Sequence, residues 1–183
     1  MRTLYTTDRL LLKILDERSA TDVLGFYNLN RDYFEAWEPD RVPGFYTEEF
    51  QKMNLAYEYS QIKEHKMLRL WISEKSAPDV IIGSISFYNF IKGSMMSCQV
   101  GYKIDRYKTG NGYATESLDR AIDIIFGVYH MHRIEALVHP DNKVSQHILD
   151  KLHFVYEGCA RSSVKMDGIW NDHMRYVLIN LAD

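Results

Sequence analysis

The chain has 183 residues, 46% of them hydrophobic, which predicts one domain (residues 1–183) with enough core to fold alone. Its net charge of −3 argues against a dedicated nucleic-acid binder, whose footprint would be basic, and no apolar run approaches the length of a membrane-crossing helix. Cys98 and Cys159 are far apart and in no Cys-x-x-Cys pair, and Met1 to Asp8 lacks the apolar core of a signal peptide; the expectation is a soluble protein in a reducing cytoplasm, with one disulfide left open.

Arg9 to Leu15 reads as a strand, with Leu10, Leu12 and Ile14 on one face. Asp16-Glu17-Arg18-Ser19 opens a helix carrying Val23, Leu24, Phe26 and Tyr27. A short helical piece, Arg31 to Trp37, stops at Glu38-Pro39, because the residue before proline is pushed out of the helical region. After the loop Val42-Pro43-Gly44, Thr47 caps a longer helix reaching Lys66, with Phe50, Met53, Asn54 and Tyr57 expected on its inner face. Strands follow at Met67 to Ser73, Val80 to Asn89 and Met96 to Ile104, separated by the turn clusters Ser76-Ala77-Pro78-Asp79 and Ile91-Lys92-Gly93-Ser94. Connections this short predict an antiparallel meander.

Thr115 to Val128 carries Leu118, Ala121, Ile122 and Ile125 at helical spacing. Arg133 to Val138 is a short buried strand. His139-Pro140-Asp141-Asn142 ends it and caps a helix whose stripe is Val144, Ile148, Leu149 and Leu152. Two terminal strands, Phe154 to Lys165 and Ile169 to Leu178, join through the hairpin signal Met166-Asp167-Gly168. The order of elements predicts an α/β fold with a mixed sheet, and Ser94 to Val138 is a strand–helix–strand unit.

The crossover of that unit holds Arg106-Tyr107-Lys108-Thr109-Gly110-Asn111-Gly112-Tyr113-Ala114-Thr115-Glu116. Glycines let a backbone approach a ligand closely, and a helix N-terminus offers unpaired N–H groups, so the junction suits an anion such as a pyrophosphate. A dinucleotide fingerprint would need a third glycine where Thr115 stands, and a nucleotide-triphosphate loop would need Gly-Lys-Ser/Thr where Tyr113-Ala114 stand. Two glycines making a tight turn are the plainer alternative. The flanking strand, helix and cations favour the anion.

Gly110-Asn111-Gly112-Tyr113-Ala114-Thr115-Glu116 resembles the pyrophosphate motif of the GNAT acetyltransferase superfamily. Thr7-Asp8-Arg9-Leu10, Trp37-Glu38-Pro39, His132-Arg133-Ile134, Pro140-Asp141-Asn142-Lys143-Val144-Ser145, Phe154-Val155-Tyr156-Glu157-Gly158 and Asp167-Gly168-Ile169-Trp170-Asn171-Asp172-His173 resemble its ribosomal-protein-alanine N-acetyltransferase branch, in order along nearly the whole chain. The resemblance implies a mixed, mostly antiparallel sheet of six to seven strands flanked by about four helices. It also implies acetyl-CoA as cosubstrate, with no metal.

On that resemblance, Tyr102, Lys103 and Ile104 hold the acetyl carbonyl and pantetheine through backbone groups. Lys108, Thr109, Gly110, Asn111, Gly112, Tyr113 and Ala114 hold the pyrophosphate. Tyr107 stands where relatives carry Gln or Arg, so Arg106 or Lys108 is expected to supply the cation. Asn142 and Ser145 match the Asn-x-x-Ser of the branch; they also read as an ordinary N-cap and its N3 partner, and the two roles are compatible. Many relatives have a thiolate-protonating tyrosine where Leu149 stands, which makes Ser145 the candidate hydrogen-bond donor to sulphur. The strand glutamate used by some relatives is missing from Arg161-Ser162-Ser163-Val164. Glu35, His173 and Asp172 are the remaining candidates for general base, with His173 titrating in the right range.

The expected acceptor is a primary amine, first a protein N-terminus such as that of a ribosomal protein, attacking directly in a ternary complex. Asp32, Glu35, Glu38, Asp40, Glu48 and Glu49 outnumber Arg31, Arg41 and Lys52 on the acceptor side, which suits a basic peptide. A small amine, or CoA binding without catalysis, are the rival readings. No membrane or direct nucleic-acid contact is expected, and a homodimer is left open.

Overall fold

The computed structural model describes residues 1–182. Two short strands, β1 (Leu4–Thr6) and β2 (Leu10–Lys13), lead into three helices, α1 (Ala20–Leu29), α2 (Arg31–Glu35) and α3 (Glu48–Lys63). The meander β3 (Leu68–Glu74), β4 (Gly83–Ile91) and β5 (Ser97–Ile104) comes next, then α4 (Tyr113–Gly127), β6 (Arg133–Val138), α5 (Lys143–Lys151) and the terminal pair β7 (Val155–Met166) and β8 (Ile169–Ile179). All strands join one sheet in the order β1-β2-β3-β4-β5-β6-β8-β7, antiparallel except where β5 meets β6. The mixed α/β sheet is as expected, with eight strands in place of six or seven. The extra strand is β1. Three residues cannot display an alternation; pairing with β2, which sets buried Tyr5 opposite Leu12, is what extends them.

Alternation along the strands gives the sheet two apolar faces. Leu70 and Ile72 of β3, Ile85 and Phe87 of β4 and Ile134 of β6 share one face with Leu118 and Ile125 of α4 and Leu149 of α5. The other face carries Trp71, packed by Val23, Phe26 and Tyr27 of α1, Phe34 of α2 and Leu55 of α3. Each such side chain taken fully out of water contributes roughly 1.5–3 kcal/mol.

Two expected stripes are corrected. The inner face of α3 is Gln51, Leu55, Glu58 and Ile62, whereas Met53 and Tyr57 are exposed. Polar residues occupy the inward positions because partners wait there: the Gln51 amide donates to the Phe45 carbonyl, and Glu58 pairs with Arg69 of β3. On α5, Leu149 and Leu152 are buried but Val144, in the first turn, is exposed. The β7–β8 turn is as expected, with Asp167 and Gly168 both in the left-handed region that a two-residue hairpin turn requires. Among the described residues no helix is long and apolar enough to cross a membrane, and Cys98 and Cys159 are both free.

Candidate active site

β5 and β6 run parallel but share a ladder only where Ser97–Gln99 face Arg133–Glu135. Beyond it β5 stays paired with β4 as far as Ile104, while its other edge has no strand partner among the described residues. The sheet therefore divides into two arms. The glycine loop sits at the end of one, and α5 begins at the end of the other.

The loop is built from local bonds. The Asp105 carboxylate accepts from the Tyr107 amide and starts a 3-10 turn, Arg106–Lys108. The Asn111 side-chain amide donates to the carbonyls of Lys108 and Thr109 and draws them inward. Gly110 and Gly112 have φ of 78° and 77°, a conformation that a side chain disfavours. Among the described residues, the backbone amides of Thr109, Gly110, Asn111 and Gly112 donate to nothing else in the chain, and those opening α4 have no intrahelical acceptor. α4 begins at Tyr113, two residues earlier than the sequence suggested, with Gly112 as its N-cap.

Lys108 is tied to Glu74 at 2.6 Å, and the Tyr113 hydroxyl donates to the same carboxylate at 2.5 Å. These contacts, the Lys108 hydrogen bond first, hold the Glu74 carboxyl below its usual range. Arg106 lies over the rings of Tyr33 and Tyr107. Arg9, absent from the expected site residues, is a further cation beside the loop: its guanidinium is 4.6 Å from the centre of the Tyr113 ring and contacts the space above Gly112. Its only sequence signal was Thr7-Asp8-Arg9-Leu10, whose Thr7 and Arg9 both bond Glu116 in the first turn of α4.

Across the gap between the arms, Asn142 caps α5 by accepting from the Ser145 amide at 3.0 Å. The Ser145 hydroxyl is 2.7 Å from the Tyr102 phenol, which approaches from β5. Leu149 is wholly buried and takes no part.

Ser145, Glu35 and His173 make no direct contact with one another. Glu35 ends α2, where it accepts from the Tyr46 hydroxyl at 2.8 Å and from Arg31 at 3.2 Å, contacts that hold its carboxyl below the usual range. His173 is buried on β8, and burial lowers its pKa, so the ring is neutral near pH 7. It packs against His139 at the end of β6, and His139 against the half-exposed Trp37. Asp172 accepts from the Ser162 amide and pins an irregularity in β7. Among the described residues no cluster of His, Cys, Asp or Glu is arranged to hold a metal.

An open pocket of about 440 Å³ lies between the α2–α3 connection and the β7–β8 turn, lined by Glu35, Glu38, Asp40 and Asp167 with Arg31 and Arg41. Glu38 pairs with Arg41 and with Lys103, whose ammonium lies between the Tyr27 and Phe34 rings on the face opposite Tyr102. Burial pulls Lys103 down to about 7, only partly offset by the neighbouring Tyr27 and Glu58. The Glu38–Lys103 pair ties the pocket to the end of β5. Lys103 was expected to act through its backbone alone, and the sequence carried no sign of this pairing.

Comparison with known proteins matches residues 9–155 to the acetyltransferase (GNAT) domain. The chain is 32% identical to a Bacillus subtilis (strain 168) protein described as probable N-acetyltransferase YjcK, covering 92% of this chain and 93% of that one. It is 34% identical to the [ribosomal protein uS5]-alanine N-acetyltransferase of Escherichia coli (strain K12), covering 92% and 87%. The crystal structure of a ribosomal-protein-S5-alanine acetyltransferase from Vibrio fischeri superposes with a TM-score of 0.93 at 27% identity, covering 98% of each chain.

Proposed function

The chain belongs to the GNAT acetyltransferase family and is an acetyl-CoA-dependent N-acetyltransferase, and from that premise we propose that its acceptor is the α-amine of a protein N-terminus, of the ribosomal kind. The observation that carries this reading is the acid-lined pocket joined to the end of β5 through Glu38 and Lys103. Four carboxylates against two guanidiniums favour an ammonium-bearing, basic segment over a neutral or acidic one.

The free amides and positive-φ glycines of the loop fit a pyrophosphate, and the unpaired edge of β5 fits an extended amide-bearing arm. On this reading Thr109 through Ala114 hold the phosphates through backbone N–H groups, with Arg106 and Arg9 nearby, whereas the Lys108 amide is already bonded to the Asp105 carbonyl. Each amide bond to the charged group contributes about 1.5–3 kcal/mol. Tyr102, Lys103 and Ile104 hold the arm, and Asn142 fixes Ser145 facing it. Acetyl-CoA, when bound, supplies a thioester whose carbonyl carbon takes the electron pair of the amine.

Ser145 donates a hydrogen bond to the sulphur as charge gathers there. An α-amine titrates at about 7.7–8.0, so a useful fraction is already neutral near pH 7 and a strong base is unnecessary. Glu35, already engaged by Tyr46 and Arg31, is better suited to attracting the ammonium than to accepting its proton. The neutral His173, behind His139, is the candidate proton acceptor.

Free-thiol release measured with acetyl-CoA and a panel of N-terminal peptides and small amines tests the proposal. Basic N-terminal peptides should be turned over fastest, with KM rising as salt is added. Turnover of small amines alone would overturn the protein-acceptor reading. Ser145→Ala should lower kcat by about 10²-fold, the scale of removing one hydrogen bond to a developing anion.

A further inference from the structure

Tyr102 and Ser145 come from opposite arms of the sheet. Tyr102 lies on β5 beyond its last rung with β6, and Ser145 is in the first turn of α5, which follows β6. Their hydroxyl oxygens are 2.7 Å apart, and the phenol is also 3.1 Å from the Ser145 carbonyl oxygen, to which only the phenol can donate. Resting on the acetyl-transfer reading above, we infer that Tyr102 is a positioning residue that aims the Ser145 hydroxyl proton into the gap between β5 and α5, where the thioester sulphur must lie.

The serine backbone is already fixed, because its amide is bonded to Asn142. What remains free is the rotation of one O–H bond, and a hydroxyl carries a single proton. When the phenol donates to Ser145 Oγ, the serine proton must point away from Tyr102. Without a ligand the phenol can instead donate to the Ser145 carbonyl and accept from the serine hydroxyl. Changing between the two arrangements needs only rotations about C–O bonds.

Burial pushes the phenol above its ordinary range, so it stays protonated and remains a donor wherever the enzyme works. In the transfer, the electron pair of the amine forms the C–N bond, and the C–S pair leaves on sulphur. The proton shed by the amine ends on the thiol through solvent. Ser145 and Tyr102 keep their protons throughout and act as oriented dipoles on the developing negative charge.

The aromatic ring packs against the core on the face it shares with Val100 and Ile104, so Tyr102→Phe removes one oxygen and keeps the packing. The expected result is a fall in kcat of about tenfold, the scale of one hydrogen bond, with KM for acetyl-CoA and the CoA-induced rise in Tm unchanged. The double variant Tyr102→Phe/Ser145→Ala should be no slower than Ser145→Ala alone, because Tyr102 acts only through the serine. Wild-type kcat in Tyr102→Phe, or losses that multiply in the double variant, would overturn the inference and leave the serine role standing. Wild-type kcat in Ser145→Ala would remove the serine role itself, and the positioning role with it.

Discussion

Gly83 has no place in the loop chemistry, yet it bears directly on the end of β5, the strand proposed to hold the acetyl arm. It pairs with Ile104 across the β4–β5 ladder, and a Cβ there would stand 2.6 Å from the Lys103 carbonyl oxygen and 2.7 Å from Ile104 Cδ1. Backbone cannot yield as the tip of a side chain does, so Gly83→Ala must displace the end of β5. Overpacking of this kind costs roughly 1–3 kcal/mol. If β5 holds the thioester arm as proposed, KM for acetyl-CoA should rise more than the loss of stability explains. A normal KM in a merely destabilised protein would show that the strand accommodates the methyl. Ser145 and Asn142 were legible as a pair because a cap is a local pattern, and the cap is present. Gly83, Arg9 and the side chains of Tyr102 and Lys103 were not, since each takes its meaning from a neighbour on another strand or helix.

Among the elements, the first turn of α4 is tied to the start of the sheet through Glu116, which accepts from Thr7 Oγ1 and from the backbone amide and guanidinium of Arg9. Burial alone would raise its carboxyl, but these hydrogen bonds outweigh it and hold the group below its usual range. A carboxylate with a depressed pKa stabilises the fold above its unfolded pKa, about 4.3, and the contribution is lost as pH falls through the folded value. Glu116→Gln should cost about 1–2 kcal/mol at pH 7, discounted from the full charged-bond value because Arg9 is half-exposed. In a chain of this size that lowers Tm by roughly 2–8 °C. The gap between variant and wild type should narrow as pH falls below about 4.3 and close only below the depressed folded value, where the native wild-type carboxyl is protonated as well. A gap independent of pH would mean that the tether works by shape and not by charge. The glycine loop could be read from spacing because its strand, turn and helix are contiguous. α3 could not, because its inward Gln51 and Glu58 look like solvent-facing residues until Phe45 and Arg69 are set beside them.

Over the whole molecule, the acid-lined pocket joins segments far apart in the chain. Its floor comes from the connection after α2 and its rim from the β7–β8 turn at the opposite edge of the sheet. Pairing of β8 rather than β7 with β6 leaves β7 as the edge strand, an order that element succession alone did not dictate. Asp40 holds the two sides together: its carboxylate accepts from the Gly168 amide at 3.1 Å, and its own amide faces the Lys165 carbonyl at 3.5 Å. If this pocket receives the peptide amine, Asp40→Ala should loosen the rim and raise KM for the peptide about tenfold, the loss of one charge-assisted bond. KM for acetyl-CoA should not move, because the glycine loop and β5 keep their own supports in Asn111, Glu74 and β4. Asp40→Asn keeps an acceptor oxygen for Gly168 and should recover most of the loss. Steady-state kinetics with both substrates varied separates the outcomes. Equal changes in the two KM values would assign Asp40 to the stability of the whole cleft, and no change in either would put the amine's entrance elsewhere.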